Sequence, residues 1–320
     1  MVHDVTPDTP SDICQPFLVS GGAFRGRLVR FSAGADAILR RHADPEPVAE
    51  LLGQALVAGI ALSSGLKYDG IFTLQVQGNG PLHTLVTDVT SDGIVRGCAK
   101  FDEERLAKAL SHGRPGNLLP RLVGAGHLAF TVDQGPDTDR YQGIVELDTS
   151  NLADSVHHYF QQSEQVPSAL RIAVAPPRPE TGGRWRAAAM VLQRMPVEPG
   201  DVVLSDDEQE DAWRTAVVLM GSVTDGELIS DTVTSEQLIH RLFATIGWSP
   251  LPARRYVNGC RCSRERTERI LASFPVEELK TFAEDGVVRM TCEFCRTDYG
   301  FTEAELEQLG RRDSAAYHAT

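Results

Sequence analysis

Residues 260–262 read Cys-Arg-Cys and residues 292–295 read Cys-Glu-Phe-Cys, so two cysteine pairs stand 29 residues apart near the C-terminus. Four thiolates can close a tetrahedral zinc site with Zn–S bonds of about 2.3 Å. No histidine lies between Cys262 and Cys292, which predicts a closed, all-thiolate site without an open catalytic position. The predicted ligands of one Zn²⁺ ion are Cys260, Cys262, Cys292 and Cys295.

The same four thiols can also pair as two disulfides when they are oxidised. Cysteines one residue apart have Cα atoms about 5.5–7 Å apart, whereas disulfides favour about 4.4–6.8 Å. A bridge within the Cys-x-Cys pair is therefore feasible but strained, and it should be easily reduced. Seven nearby arginines favour the reactive thiolate form: Arg254, Arg255, Arg261, Arg264, Arg266, Arg269 and Arg296.

Composition limits the classes of protein that remain. The chain has 320 residues, 42% hydrophobic and 23% charged, which is typical of a folded protein with about two domains. A formal charge of −13 argues against nucleic-acid and acidic-membrane binding. The longest apolar stretch, Leu56–Leu62, is shorter than the roughly 18 residues of a membrane span, and no signal sequence precedes it. We expect a cytoplasmic protein, where clustered thiols indicate metal or redox chemistry.

The pattern of the first 195 residues predicts an α+β fold with antiparallel sheets. Asp92-Gly93 between two alternating stretches is a strong hairpin signal. Helices are expected at Pro45–Leu66 and Ser150–Ser163, with Pro176–Gly183 as a long loop. Strands are expected at Ile71–Gln77, Leu82–Thr90, Ile94–Ala99, His127–Asp133, Gln142–Leu147, Ala169–Ala175 and Ala187–Gln193.

The second half predicts an acidic linker, short helices and a small terminal module. Pro196–Asp211 is interpreted as a solvated linker because it is rich in acidic residues and proline. Helices follow at Asp211–Met220 and at Ser235–Phe243, the latter opened by the capping box Thr234-x-x-Gln237. The module contains expected helices at Ser263–Ser273 and Val276–Glu284, an Asp285-Gly286 turn, a strand at Val287–Thr291, and a last helix from Thr302 to Gly310.

Other candidate sites are weak. Gly59 and Gly65-Leu66-Lys67 only superficially resemble a phosphate-binding loop, because the spacing is wrong and the glycine and lysine are not adjacent. Cys14 and Cys98 are interpreted as ordinary thiols, with Cys98 buried in a strand.

The cysteine module closely resembles that of the heat shock protein 33 family. The resemblance rests on Cys260-Arg-Cys-Ser-Arg-Glu-Arg266, Cys292-Glu-Phe-Cys295 and Tyr299-Gly-Phe301, and it extends from about Phe17 to Leu309. Upstream, the matching stretches are Tyr141-Gln-Gly-Ile-Val145, His158-Tyr-Phe160, Ser163-Glu-Gln-Val-Pro167 and Leu219-Met-Gly221. Arg296 departs from the family pattern, since many relatives have glycine there.

The resemblance implies a redox-regulated, ATP-independent chaperone, a holdase. In the reduced, zinc-bound state it would be inactive; oxidation would form the disulfides Cys260–Cys262 and Cys292–Cys295 and release zinc. The active form would dimerise, hold unfolded clients and pass them to ATP-driven refolding chaperones. The implied domains are a disordered 1–12, a client-binding and dimerisation domain at 13–206, a metastable helical linker at 207–258, a zinc module at 259–312 and a tail at 313–320.

Two other readings of the cysteine pairs stay open from the residues alone. A zinc-ribbon protein acting on nucleic acid would use the arginines, and salt-dependent DNA or RNA binding would identify it. A thiol oxidoreductase would use Cys292-x-x-Cys295, although the motif lacks the strand–helix setting of thioredoxins. We favour the holdase, a binding protein without substrate turnover.

Overall fold

The computed structural model describes residues 12–111, 117–135, 138, 140–161, 165–196 and 205–309. The chain forms two compact units, one ending at Asn258 and the other beginning at Gly259. We call them the sheet unit and the cysteine unit. Their helices and antiparallel sheets confirm the predicted α+β class.

The strands and helices have the following bounds. The strands are β1 (Ile13–Val19), β2 (Phe24–Arg30), β3 (Ile71–Gly78), β4 (Leu82–Thr90), β5 (Ile94–Phe101), β6 (Gly126–Asp133), β7 (Tyr141–Glu146), β8 (Ser168–Ala175), β9 (Arg186–Arg194), β10 (Trp248–Pro250), β11 (Arg254–Arg255), β12 (Val257–Asn258), β13 (Val287–Thr291) and β14 (Asp298–Thr302). The helices are α1 (Ala33–His42), α2 (Glu46–Ser63), α3 (Glu103–Ser111), α4 (Leu118–Leu122), α5 (Leu152–Tyr159), α6 (Asp206–Gly221), α7 (Asp225–Leu228), α8 (Ser235–Phe243), α9 (Arg264–Ala272), α10 (Val276–Lys280) and α11 (residues 303–309).

Two sheets organise the sheet unit. The first has the antiparallel order β10–β1–β2–β9–β8, and β11 also pairs with β1. The second has the order β12–β5–β4–β3–β6–β7, antiparallel except for the parallel pair β12–β5. The segment 248–258 therefore adds short strands to an edge of both sheets, although it follows the other strands by more than fifty residues.

Helix α2 forms the centre of the main core and contacts both sheets. Two glycines permit this close approach: a Cβ atom at Gly53 would lie 3.0 Å from Val174 of β8, and one at Gly59 would lie 2.9 Å from Thr87 of β4. By length and mean hydropathy of 1.2 this helix could cross a membrane, but 78% of it is buried inside the fold. Its apolar character is accounted for by its position between two sheets.

The opposite face of the first sheet is covered by α6, α7 and α8. Along β2 the side chains alternate, so Val29 faces α2 while Leu28 faces these three helices. A second apolar cluster results, which joins residues of the sheet to residues of the helices: Phe17, Phe24, Leu28, Met190 and Leu192 with Ala216, Met220, Leu228, Leu238, Ile239, Leu242 and Phe243.

Several predicted elements are confirmed. The Asp92-Gly93 turn joins β4 to β5, with Gly93 at a φ of 92°, and β6–β7 and β8–β9 pair as expected. The capping box at Thr234 and Gln237 opens α8. The predicted helix Ser150–Ser163 is α5, Leu152–Tyr159; Ser163 lies outside the described residues, as do the N-terminal residues before Asp12, Gly310 and the tail.

Helix α2 ends at Ser63, three residues before the predicted end at Leu66. Two further helix boundaries differ by four or five residues. Helix α6 begins at Asp206 instead of Asp211, because Ser205 and Glu208 form a capping box: the Ser205 hydroxyl accepts from the Glu208 amide, and the Glu208 carboxylate accepts from the Ser205 amide. Helix α10 ends at Lys280 instead of Glu284, because Glu284 forms a β-bridge with Val287 across the Asp285-Gly286 turn.

The cysteine unit has a small core of its own. The hairpin β13–β14 packs with α9, α10 and α11 around five buried apolar residues: Leu271, Leu279, Val288, Phe301 and Leu306. Thr302 and Glu305 cap α11 as predicted, through Glu305 Oε2 at 2.8 Å from the Thr302 amide. A core of this size in a unit of about sixty residues is marginal without a cross-link or metal.

Candidate metal centre

The four cysteines of the two pairs converge at one point of the cysteine unit. Their Sγ atoms all lie within 4.8 Å of one another. Cys262 and Cys295 have their sulfurs 3.3 Å apart, and Cys260 and Cys292 have theirs 3.7 Å apart, so each of these contacts joins one cysteine pair to the other. All four cysteines are reduced, and each side chain is half-buried.

This arrangement fits a tetrahedral metal ion. Four ligands with metal–sulfur bonds of about 2.3 Å lie about 3.8 Å from one another, close to the observed separations. Among the described residues of the cluster, every donor is a thiol. Soft thiolates in a tetrahedral S₄ set select zinc or iron–sulfur chemistry over hard cations such as magnesium.

Local structure positions each pair. Cys260 and Cys262 lie in the loop before α9, whose first turn is capped by the Ser263 hydroxyl accepting from the Arg266 amide at 3.2 Å. Cys292 and Cys295 lie in the turn between β13 and β14. Within that turn the Arg296 amide donates to the Cys292 carbonyl at 2.8 Å.

Arg296 takes a left-handed backbone conformation, with a φ of 55°. This is the position where the sequence departs from the glycine of many relatives. A residue with a Cβ atom is strained in this region, whereas glycine is not. The turn nonetheless closes, and both of its cysteines reach the cluster, so the departure removes no candidate ligand.

Two hydroxyl groups contact the sulfurs, and the spacing of the cysteines did not predict them. Tyr299 Oη donates to Cys262 Sγ at 3.1 Å, and Thr297 Oγ1 lies 3.1 Å from Cys295 Sγ. Both residues follow the second pair, on the turn and the return strand of the hairpin. The sequence signal that could have indicated these contacts is their position two and four residues after Cys295. Strand β14 folds back there beside the candidate metal ligands.

The thiols differ in acidity because their surroundings differ. Burial raises the pKa of Cys262 to about 12 and also raises the pKa of Cys292. Burial acts in the same direction on Cys295, but hydrogen bonds with Thr297 and neighbouring thiols outweigh it and lower its pKa to about 6. Without a metal, Cys295 is thus ionised at neutral pH beside a neutral thiol, and the thiolate is the nucleophilic form.

The predicted group of arginines is divided between the two units. Arg254 and Arg255 belong to the sheet unit, where they form β11. Arg264 joins three parts of the cysteine unit: it donates to the Gly300 carbonyl at 2.8 Å and to Glu305 at 2.7 Å, and it lies 4.3 Å over the Phe301 ring. Its role is structural support of the hairpin that carries the second cysteine pair.

The two remaining cysteines lie elsewhere in the fold. Cys14 on β1 and Cys98 on β5 are reduced and buried in the sheet unit, as the sequence predicted for Cys98. The candidate site therefore consists of Cys260, Cys262, Cys292 and Cys295, with Thr297 and Tyr299 in contact with the sulfurs.

The sequence and fold of this chain are similar to those of known proteins. A family model described as Hsp33 protein matches residues 12–302. The 33 kDa chaperonin of Caulobacter vibrioides is 38% identical over 301 residues, covering 92% of this chain and 97% of its own. That of Pseudomonas fluorescens is 32% identical over 305 residues, covering 95% and 94%. The crystal structure of the 33 kDa chaperonin from Thermotoga maritima shares the fold, with a TM-score of 0.77 at 21% identity, covering 96% of this chain and 100% of that one. By this match over nearly its whole length, the chain belongs to the Hsp33 family of chaperones.

Proposed function

We propose that this protein is a redox-regulated, ATP-independent holdase of the cytoplasm. The observation that carries the proposal is the cluster of four thiols within 4.8 Å, built into a unit that has five buried apolar residues. A site that can be either a metal centre or two disulfides would control whether such a small unit stays folded. It binds proteins without turning over a substrate.

In the reduced state, Cys260, Cys262, Cys292 and Cys295 would hold one Zn²⁺ ion as thiolates. The bound ion would keep the four sulfurs ionised and supply on the order of 10 kcal/mol of folding free energy. Tyr299 donates a hydrogen bond to Cys262, and Thr297 is placed to do the same for Cys295. Such contacts from outside the ligand set orient the ligands and tune their basicity.

Oxidation converts the four thiolates into two disulfides. Two molecules of peroxide accept the four electrons, and with four protons they leave as four molecules of water. We propose the pairs Cys260–Cys262 and Cys292–Cys295. The structure allows other pairings, because all six sulfur–sulfur distances are below 4.8 Å. Disulfide formation withdraws every ligand from the metal.

Loss of the metal would then unfold the cysteine unit and loosen the segment before it. Residues 248–258 lead directly into Cys260, and they hold short strands on the edges of both sheets. Further upstream, α6–α8 cover apolar residues of the first sheet such as Phe17, Leu28 and Met190. We propose that residues 207–258 act as the metastable linker, and that their release uncovers this apolar surface for clients and for dimerisation. Clients would later pass to ATP-driven refolding chaperones.

The first test is light scattering of a chemically unfolded client diluted into the protein. The reduced, zinc-loaded form is compared with the same sample after treatment with peroxide at elevated temperature. Suppression of aggregation by the oxidised form alone supports the proposal. Suppression by neither form would leave the cysteines as a structural zinc site and contradict the proposed function.

A second test releases the linker without oxidation. The Val257 amide donates to the Gly93 carbonyl at 3.0 Å, and 56% of the Val257 side chain is exposed. Val257→Pro removes this donor, whereas Val257→Ala keeps it, so the two variants form a matched pair. We expect the proline variant, but not the alanine variant, to suppress aggregation at lower peroxide concentration. Equal behaviour of both would argue against the linker as the element that controls activity.

A further inference from the structure

A cavity of about 480 Å³ opens in the sheet unit at the C-terminal end of α2. Four aromatic side chains that are almost fully buried form its wall: Phe72 of β3, Phe130 of β6, and Tyr159 and Phe160 at the end of α5. The volume falls within the range of about 300–1,000 Å³ typical of sites for small molecules. Gly65, Leu66 and Lys67, whose sequence only superficially resembles a phosphate-binding loop, also line the cavity.

The cavity contains a buried cation without an anionic partner. Arg27 of β2 is 4% exposed and lines the cavity. Its two terminal nitrogens donate to one acceptor, the neutral side-chain oxygen of Gln193, at 2.9 Å for Nη1. Within the described part of the chain its Nε has no hydrogen-bond partner, and no carboxylate forms an ion pair with it. A buried guanidinium normally has such a partner, because an uncompensated charge is costly to remove from water.

Another buried arginine of the same strand, Arg30, differs from Arg27 in its hydrogen-bond partners. Arg30 is equally buried, at 4% exposure, but it donates to the backbone carbonyls of Leu228, Val233 and Glu227. Its charge is also stabilised by Asp231. Arg30 is thus a satisfied structural residue, whereas Arg27 retains donor capacity beside an open space.

The Cys14 thiol and the Tyr256 hydroxyl also act on Arg27, but burial raises the pKa of both, so both are neutral at neutral pH. The other charged groups near Arg27 add positive charge. Lys67 lines the cavity and is exposed, and Arg25 stands two residues before Arg27 on the same strand. Neither forms an ion pair with any described residue, and the described lining contains no aspartate or glutamate. This is unusual in a chain with 44 acidic and 31 basic residues. The C-terminal end of α2 offers about half a negative charge, which is less than one guanidinium carries.

We propose that the cavity binds a small amphiphilic carboxylate. Its head group would accept hydrogen bonds from Arg27, and its apolar body would pack against Phe72, Phe130 and Phe160. A guanidinium matches a carboxylate in geometry and charge. A singly charged head suits an apolar cavity better than a phosphate dianion, because each additional charge adds to the desolvation cost. This site is independent of the proposed redox function.

The first experiment is calorimetric titration of the reduced, zinc-loaded full-length protein with three ligands of equal chain length. These are decanoate, 1-decanol and decyltrimethylammonium, each below its micelle-forming or solubility limit. We expect decanoate to bind with one-to-one stoichiometry and at least tenfold more tightly than decanol, and the cation to be weakest. Equal affinity for all three would indicate an unspecific apolar surface and overturn the proposal.

Two variants test whether decanoate binds at Arg27. Arg27→Met keeps an unbranched apolar side chain and removes the guanidinium with its charge, and it should weaken decanoate binding at least tenfold. The matched control is Arg171→Gln, which removes an exposed arginine that pairs with Asp225 at 3.1 Å, and it should bind like the parent chain. An Arg27→Met variant that folds and binds decanoate normally would contradict the proposal.

A further variant keeps the positive charge of Arg27 but displaces its guanidinium. A Cβ atom at Gly65 would lie 2.6 Å from Nη1 of Arg27, so Gly65→Ala must displace the guanidinium. Weaker binding of decanoate with unchanged binding of decanol is the expected result. If Arg27→Met does not fold, this variant and the three-ligand series still decide the question, because both use a chain that retains Arg27.

Discussion

The sheet unit and the cysteine unit differ in what holds them together. In the sheet unit, α2 lies between two sheets and contributes buried residues along its whole length, from Val48 to Leu62. In the cysteine unit, five buried apolar residues surround a small hairpin, and four thiols converge beside it. Hydrophobic burial can stabilise the first unit by itself, whereas the second is of the size at which a metal is usually needed.

The comparison teaches how one chain can contain a stable part and a part that can be switched. Binding of zinc to an all-thiolate site provides free energy comparable to the whole stability of a typical domain, about 5–15 kcal/mol. Removing it should therefore unfold the small unit and release the linker at residues 207–258, while strands β1–β9 of the large unit stay folded. Each prediction below tests this difference between the units.

The largest effect is expected from removal of a metal ligand. Cys262→Ser should abolish tight zinc binding and unfold residues 259–309 in the absence of oxidant. Amide hydrogen exchange would show loss of protection there, on the order of 10 kcal/mol at most, while strands β3–β6 stay protected. The control is Cys98→Ala, which removes a buried thiol of the sheet unit and should leave zinc binding intact. Equal loss of protection in both units would mean that they fold as one.

A matched pair of phenylalanines gives the next largest effect. Phe301 and Phe31 are both fully buried, one in each unit. Truncation of a buried phenylalanine to alanine costs about 3–5 kcal/mol. We expect Phe301→Ala to lower zinc affinity and to permit activation by less peroxide, and Phe31→Ala to lower the melting temperature of the sheet unit without changing zinc affinity. Zinc affinity that falls equally in both variants would contradict separate units.

The sequence predicted the parts whose causes are local. Asp92-Gly93 requires a tight turn, and the apolar spacing of α2 is helical whatever surrounds it. The four candidate ligands were likewise evident, because thiolate pairs carry their chemistry with them. The α6 boundary failed although its signal was local: Ser205 and Glu208 have capping-box spacing, but the acidic run hid it.

The parts that were missed depend on distant partners. Strands β10, β11 and β12 have two or three residues each and become strands only because the edges formed by β1 and β5 are there to pair with them. No local pattern in 248–258 encodes that pairing. The contact of Tyr299 with Cys262 was missed for the same reason, because the two residues are 37 positions apart. The contact of Thr297 with Cys295 spans only two residues, so its signal was local.

A smaller effect is expected at Arg264. Its planar guanidinium contacts the Gly300 carbonyl, Glu305 and the Phe301 ring together, and a lysine cannot make all three contacts. Arg264→Lys should destabilise the cysteine unit by about 1 kcal/mol, seen as a several-fold loss in competition against a zinc chelator. The control is Arg171→Lys in the sheet unit, where the ion pair with Asp225 is exposed and its loss should leave zinc affinity unchanged.

The smallest effect is expected at Arg296, where a substitution should raise the stability of the cysteine unit, in contrast to the substitutions above. At a φ of 55° a residue with a side chain is strained by about 1–2 kcal/mol, and glycine is not. Replacing Arg296 by glycine relieves this strain, but glycine also has more conformational freedom in the unfolded chain. That freedom costs about 0.5–1 kcal/mol of stability. Arg296→Gly should therefore stabilise the cysteine unit by about 0.5 kcal/mol and raise zinc affinity about twofold.

The matched control for Arg296→Gly is Arg269→Gly on helix α9. At that position glycine costs about 1 kcal/mol and should lower zinc affinity. Opposite signs in a zinc competition assay would show that the backbone conformation just after Cys295, and not the mere loss of an arginine, sets the effect. If both variants lose affinity, strain at this turn contributes nothing to the balance between the two units. If Arg296→Gly raises zinc affinity and leaves the melting temperature of the sheet unit unchanged, a single backbone angle adjusts the stability of the cysteine unit alone.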